Sequence, residues 1–348
     1  MIRLTLDLSA VTPLNRMQIE HLTEVAGRFS CRVLFEHNSR VINGKSMLGL
    51  LSLGRTGHEA VYLICDGEEE ETAARTLQDQ LLRGETAPKS AADGEALMHR
   101  IKDRYASILG DKLVGIYLHG SLAAGCFCWD RSDVDFLTVV NEPPRLHQKI
   151  ALIQTLRDME EEGPAGGFEM SVVEARFCRQ APYPIPFELH YSLAHRAEFD
   201  ADPAAYCQRM RGEDPDLTAH ILCLRAFGKT VLGPDIPRVF DQVNRGDALA
   251  AIRYDVKDAE TSLHDNPVYY ILNLCRALAY VRKNLVLSKK DGGQWALRHV
   301  STDYQPVIQA ALNAYATGID ITYDEEQAED FAADALREIM TNHEGEKA

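Results

Sequence analysis

Ile2, Leu4, Leu6 and Leu8 alternate with polar neighbours, the period of a half-buried strand. The period turns helical over residues 15–29, where Ile19, Leu22, Val25 and Ala26 share one face. Residues 31–36 and 61–65 read as strands. Between them lie a polar turn, His37-Asn38-Ser39-Arg40, a short extended piece, and a short apolar helix that starts after Asn43-Gly44-Lys45-Ser46. Residues 68–82 read as a helix with glutamates Glu68 to Glu71 at its start, where the helix dipole favours anions. Residues 84–94 are small and polar and include Pro88, the composition of a linker.

A helix over residues 95–109 leads into residues 113–140, which read as strand, Gly-Ser turn, short helix, loop and second strand. Residues 149–162 form a helix stopped by Gly163-Pro164, and residues 168–173 a further strand. From about residue 200 helical periodicity dominates, with helices expected at 202–211, 216–231, 246–260, 265–283, 289–299, 304–316 and 324–341. The pattern predicts an α+β chain. Its expected parts are a βα sandwich at 1–85, a linker at 86–94, a mixed-sheet α/β domain at 95–200 and an all-α domain at 201–348.

Composition narrows the function classes. A net charge of −15 argues against general nucleic-acid binding, which draws on a surplus of Lys and Arg. It suits a cationic partner better. The eight cysteines include no C-x₂-C pair, so neither a zinc ribbon nor a disulfide framework is expected. No apolar run approaches ~18 residues and the first residues lack a signal-peptide pattern, so no membrane span and a cytoplasmic location are expected.

The chemistry concentrates in residues 113–140. Asp133 and Asp135 stand two apart on a strand, so their carboxylates share a face. Gly120 and Ser121 form a turn where backbone and a hydroxyl can meet a phosphate. Together they suggest metal-assisted chemistry on a nucleotide. A second polar–aromatic cluster, Phe187-Glu188-Leu189-His190-Tyr191, offers Glu188 as a residue that could face the same cleft.

Gly-Ser, then Asp-Val-Asp, then Glu169 on a later strand resembles the nucleotidyltransferase superfamily. The run NPVYYILNLCRALAYVRKNLVLSKKDGGQWAL at 266–297 is similar to the helical domain of streptomycin/spectinomycin-type aminoglycoside nucleotidyltransferases. The resemblance implies that Gly120 and Ser121 hold the terminal phosphates of ATP, that Asp133 and Asp135 ligate Mg²⁺, that Glu169 is the general base, and that Lys289 reaches the triphosphate. It implies transfer of AMP from ATP to a hydroxyl. In the stretch where the family binds the drug's amino groups this chain has only Asp265, with Asn266 in the aligned place. An aminoglycoside or similar cationic molecule is the leading acceptor. The rivals are another metabolite, a protein hydroxyl, or a nucleotide-sensing regulatory role.

NGKSMLGLLSLG, with the strand and DGEEEETAARTL after it, resembles HPr, the sugar-phosphotransferase phosphocarrier, over about the first 85 residues. Asn15 stands where that family has its phosphoacceptor histidine, and Met17 and Gln18 replace the supporting Arg and Pro. An amide cannot take a phosphoryl group as an imidazole nitrogen does, so phosphocarrier activity is not expected. Ser46 stays open to two readings. It is either a helix N-cap or, as the resemblance implies, a regulatory phosphosite through which residues 1–85 meet an HPr kinase or another regulatory protein.

Overall fold

The computed structural model describes residues 1–6, 16–38, 40–53, 61–82, 89–318 and 321–341, which divide into two compact units, Met1–Lys89 and Ser90–Ala348. Leu8, Asn15 and Ser39 lie outside the described residues.

In the first unit Ile2–Leu6, Val61–Asp66, Arg32–His37 and Arg40–Asn43 form one antiparallel sheet in that spatial order. Helices Arg16–Gly27 and Glu70–Leu82 bury their apolar faces, Ile19, Leu22, Val25 and Ala26 from one and Ala73, Ala74, Leu77 and Leu81 from the other, with Val33, Phe35 and Leu63 of the sheet. The third helix, Met47–Leu53, is capped by Ser46, whose Oγ accepts the Gly49 backbone N–H at 3.2 Å. This is the HPr-like βα sandwich that the sequence implies.

The second unit is built on a five-stranded mixed sheet. Its order is Lys229–Leu232, Leu113–Leu118, Val134–Val140, Phe168–Glu174, Leu189–Tyr191. Only the pair Val134–Val140 and Phe168–Glu174 is parallel. Both faces are buried, which explains why these strands are almost continuously apolar. On one side Ile116, Phe136 and Met170 pack with Met98, Ile101 and Tyr105 of helix Ala91–Leu109 and Leu152 of helix Leu146–Arg157. On the other, Tyr117, Leu137, Val139 and Val173 pack with Leu217, Ile221 and Leu224 of helix Asp216–Phe227.

One expected helix is shorter than its apolar pattern. The stretch 216–231 stops being helical at Phe227, and Lys229–Leu232 pairs antiparallel with Leu113–Leu118 as an edge strand. Gly228 makes the break: a Cβ there would lie 2.6 Å from the Leu224 carbonyl oxygen. β-branched Thr230 and Val231 then suit the pleat. The sheet is thus completed by residues beyond 200. The bundle that follows, Arg245–Val256, Pro267–Lys283, Lys289–His299, Gln305–Thr317 and Glu325–Thr341, closes around Leu272, Cys275, Leu278, Ile308 and Phe331.

Candidate active site

Strand Leu113–Leu118 ends at His119, whose N–H donates to the Asp135 carbonyl at 2.9 Å. Gly120 follows with φ +61°, and a Cβ on it would fall 1.8 Å from Asp135 Oδ2. Only glycine lets the turn pass so close to the carboxylate. Ser121 Oγ is buried with no hydrogen-bond partner among the described residues.

Across the parallel pairing Asp135 lies directly opposite Glu169. Asp133 joins them, one carboxylate oxygen from each of the three lying within 4.8 Å of the others. Gly166 brings its loop against the Ser132–Asp133 peptide, where a Cβ would meet the Asp133 nitrogen at 2.6 Å. Burial, then the charges of Asp133 and Glu169, hold the Asp135 carboxyl well above the usual range. Burial also raises Glu169, against the pull of His220. Three carboxylates held together are a site short of positive charge.

They line a cavity of about 910 Å³ whose far wall comes from the helical bundle. Lys289, half-buried at the start of Lys289–His299, lies there with its ammonium 4.4 Å above the Tyr269 ring. Lys290 is exposed. Burial, then the nearby Arg276 charge, lowers the Lys289 pKa, while Asp255, Asp133 and Asp135 act to raise it. Asp265 and Asn266 line the same cavity, and Asn266 also caps its helix by accepting the Tyr269 N–H at 3.3 Å. Arg131 donates to the Ala314 and Ala316 carbonyls at 3.2 Å each, which ties the loop before Asp133 to the bundle.

Glu188 does not belong to this group. It is not among the cavity-lining residues, and its carboxylate is 3.0 Å from the ammonium of buried Lys149. An ammonium inside the fold needs a counter-charge, and that use draws Glu188 away from the cleft.

Several cavity residues were missed in the sequence reading. His220 Nε2 lies 3.3 Å from Asp216 Oδ2 and 3.8 Å from Glu169 Oε1, and its ring packs at a tilt of 34° against His119 with centroids 4.5 Å apart. Burial disfavours the imidazolium, but Asp216 and Glu169 outweigh it and His220 is pushed up to about 10. Asp255 accepts from Tyr269 Oη at 2.8 Å and pairs with Arg276 at 3.0 Å. The local signals were the i, i+4 spacing of Asp216 and His220 and the seven-residue spacing of Tyr269 and Arg276, each placing two polar groups on one helix face.

Residues 238–338 match the family described as aminoglycoside adenylyltransferase, C-terminal domain, and residues 17–82 match that described as PTS HPr component phosphorylation site. The second unit shares its fold with spectinomycin adenyltransferase AAD(9) from Enterococcus faecialis, solved with ATP and spectinomycin. The TM-score is 0.60 at 20% identity, over 71% of this chain and 99% of that one. HPr-C-His from Thermoanaerobacter tengcongensis matches at 27% identity, TM-score 0.23, over 24% of this chain and 94% of its own. Crh of Bacillus subtilis matches at 28%, TM-score 0.20, over 24% and 95%. The chain therefore joins a region that matches HPr to a unit that shares the fold of spectinomycin adenyltransferase and whose residues 238–338 match the aminoglycoside adenylyltransferase C-terminal domain.

Proposed function

We propose that the second unit transfers AMP from ATP to a hydroxyl of an aminoglycoside or a similar cationic small molecule. The observation that carries this reading is the Asp133–Asp135–Glu169 cluster facing Lys289 across one cavity. Gly120 and Ser121 hold the triphosphate at the near wall, where the Ser121 hydroxyl is free to donate. Lys289 meets the same phosphates from the bundle. Glu169 takes the proton of the acceptor hydroxyl as its oxygen attacks the α-phosphorus, the α–β bridging P–O bond breaks, and pyrophosphate leaves with the electron pair.

Asp133 and Asp135 are the metal-holding pair. Their hard oxygen donors and crowded negative charge fit Mg²⁺. When bound, that ion supplies positive charge to the triphosphate and its leaving oxygen. On the acceptor side Asp255 is balanced by Arg276 and Asp216 by His220, so Asp265, beside Asn266, is the carboxylate that favours a cationic acceptor.

The deciding experiment is pyrophosphate release from ATP and Mg²⁺ with spectinomycin or streptomycin, wild type against Asp133→Asn. Drug-dependent release lost in the variant supports the reading. If ATP binds and neither drug accepts label, another metabolite or a protein hydroxyl becomes the acceptor. If no acceptor yields pyrophosphate, a nucleotide-sensing role remains.

A regulatory contact through the first unit has its own support. The helix after Ser46 leaves Leu48 80% and Leu51 45% exposed beside Val41, an apolar face suited to a protein partner. Incubation with an HPr kinase followed by intact-mass measurement tests Ser46, and no added phosphate would end that part of the reading. A cytoplasmic location fits both proposals, and no described helix is long and apolar enough to cross a membrane.

A further inference from the structure

We propose that His220, anchored by Asp216, is a positioning residue that aims the Glu169 carboxylate into the cleft. This rests on the reading of Glu169 as the base. The imidazole is held on two sides. Asp216, one helical turn earlier, binds its Nε2 at 3.3 Å, and the His119 ring covers its face at 4.5 Å. Its Nδ1 is buried and has no partner among the described residues, so the carboxylates it meets are met through Nε2.

That geometry answers a problem set by the sheet. The register sets Glu169 opposite Asp135, and Asp133 lies close by, so both neighbours repel its carboxylate. A short link to helix Asp216–Phe227 opposes that repulsion. The contact joins His220 Nε2 to Glu169 Oε1 at 3.8 Å. The base on strand Phe168–Glu174 is thereby set by a helix that comes later in the chain.

The test compares His220→Leu, His220→Gln and Asp216→Asn in the full chain with ATP, Mg²⁺ and spectinomycin. His220→Leu lowers kcat about 10- to 100-fold, the usual effect of removing a group that orients a working ligand, with the ATP KM within about threefold of wild type. His220→Gln recovers part of the loss because its amide can still donate. In a Glu169→Gln background, His220→Leu costs nothing further, because His220 acts through Glu169. A loss that adds fully in the double variant, or a rise in the ATP KM that accounts for the whole effect, overturns the proposal.

A crystal structure of His220→Leu supplies a second measurement that does not need turnover. Displacement of the Glu169 carboxylate from the Asp133–Asp135 cluster supports the positioning role, and an unmoved carboxylate overturns it. If wild type shows no turnover with any acceptor, the adenylyl-transfer reading falls while this measurement still decides whether His220 places Glu169.

Discussion

Asp135 and Glu169 are direct cross-strand partners in the one parallel pairing of the sheet. Because facing residues in register point the same way, this pairing turns two distant carboxylates into one site. If Glu169 is the base, Glu169→Gln lowers kcat about 10²- to 10⁴-fold while nucleotide binding persists. Steady-state pyrophosphate release together with calorimetric titration of ATP measures both.

Gly120 is irreplaceable for two reasons, its φ of +61° and its approach to Asp135. Gly120→Ala forces the turn and the carboxylate apart. We expect loss of activity and a destabilisation of about 1–3 kcal/mol, read by thermal unfolding. A variant as stable and active as wild type would contradict the close approach.

The two adjacent lysines should separate cleanly. Lys289 lines the cavity and Lys290 is exposed. Lys289→Met is expected to raise the ATP KM about tenfold, roughly 1.4 kcal/mol of binding, whereas Lys290→Ala changes it by less than about twofold.

Asp255 neutralises Arg276 inside the bundle wall, with side chains 12% and 27% exposed. Asp255→Ala leaves the guanidinium without that partner. A fully buried pair loses more, but here water reaches part of the group, so we expect about 1–3 kcal/mol in chemical denaturation. Adding Arg276→Met should restore part of the stability, because no unpaired charge then remains.

His190 makes stability depend on pH. Burial, then the charges of His195 and His220, lowers it to about 4 from the ordinary value of 6.5, and its Nδ1 is 2.9 Å from Ser171 Oγ. The unfolded chain binds a proton near 6.5 and the folded one only near 4, so folding weakens as pH falls through that window. At about 1.4 kcal/mol per unit the loss approaches 3 kcal/mol by pH 4 and is absent above pH 7. Denaturation of His190→Gln across pH 4–7 should show a shallower slope.

Much of the fold is legible because its signals are local. The face shared by Ile19, Leu22, Val25 and Ala26, and the Ser46 cap before Met47–Leu53, depend on residues within one or two turns. Lys229–Leu232 is different. Its sequence continues the helical pattern before it, and such a run alone does not say whether it will meet a strand edge. Glu188 shows the same limit in the site: beside aromatics it looked free to face the cleft, but Lys149, brought from another element, had the stronger claim.

By itself the sequence determined the motif, since strand alternation puts Asp133 and Asp135 on one face and the turn at Gly120 beside them. It also placed Glu169 on a strand and Lys289 at a helix start. Only the tertiary structure decided that Glu169 lies opposite Asp135, that Lys289 rather than Lys290 turns inward, and that Asp216 and His220 arrive from a helix with no motif of its own. The reason is physical. Side-chain direction within an element follows from backbone geometry, whereas register and the meeting of distant elements follow from burying both faces of one sheet at once.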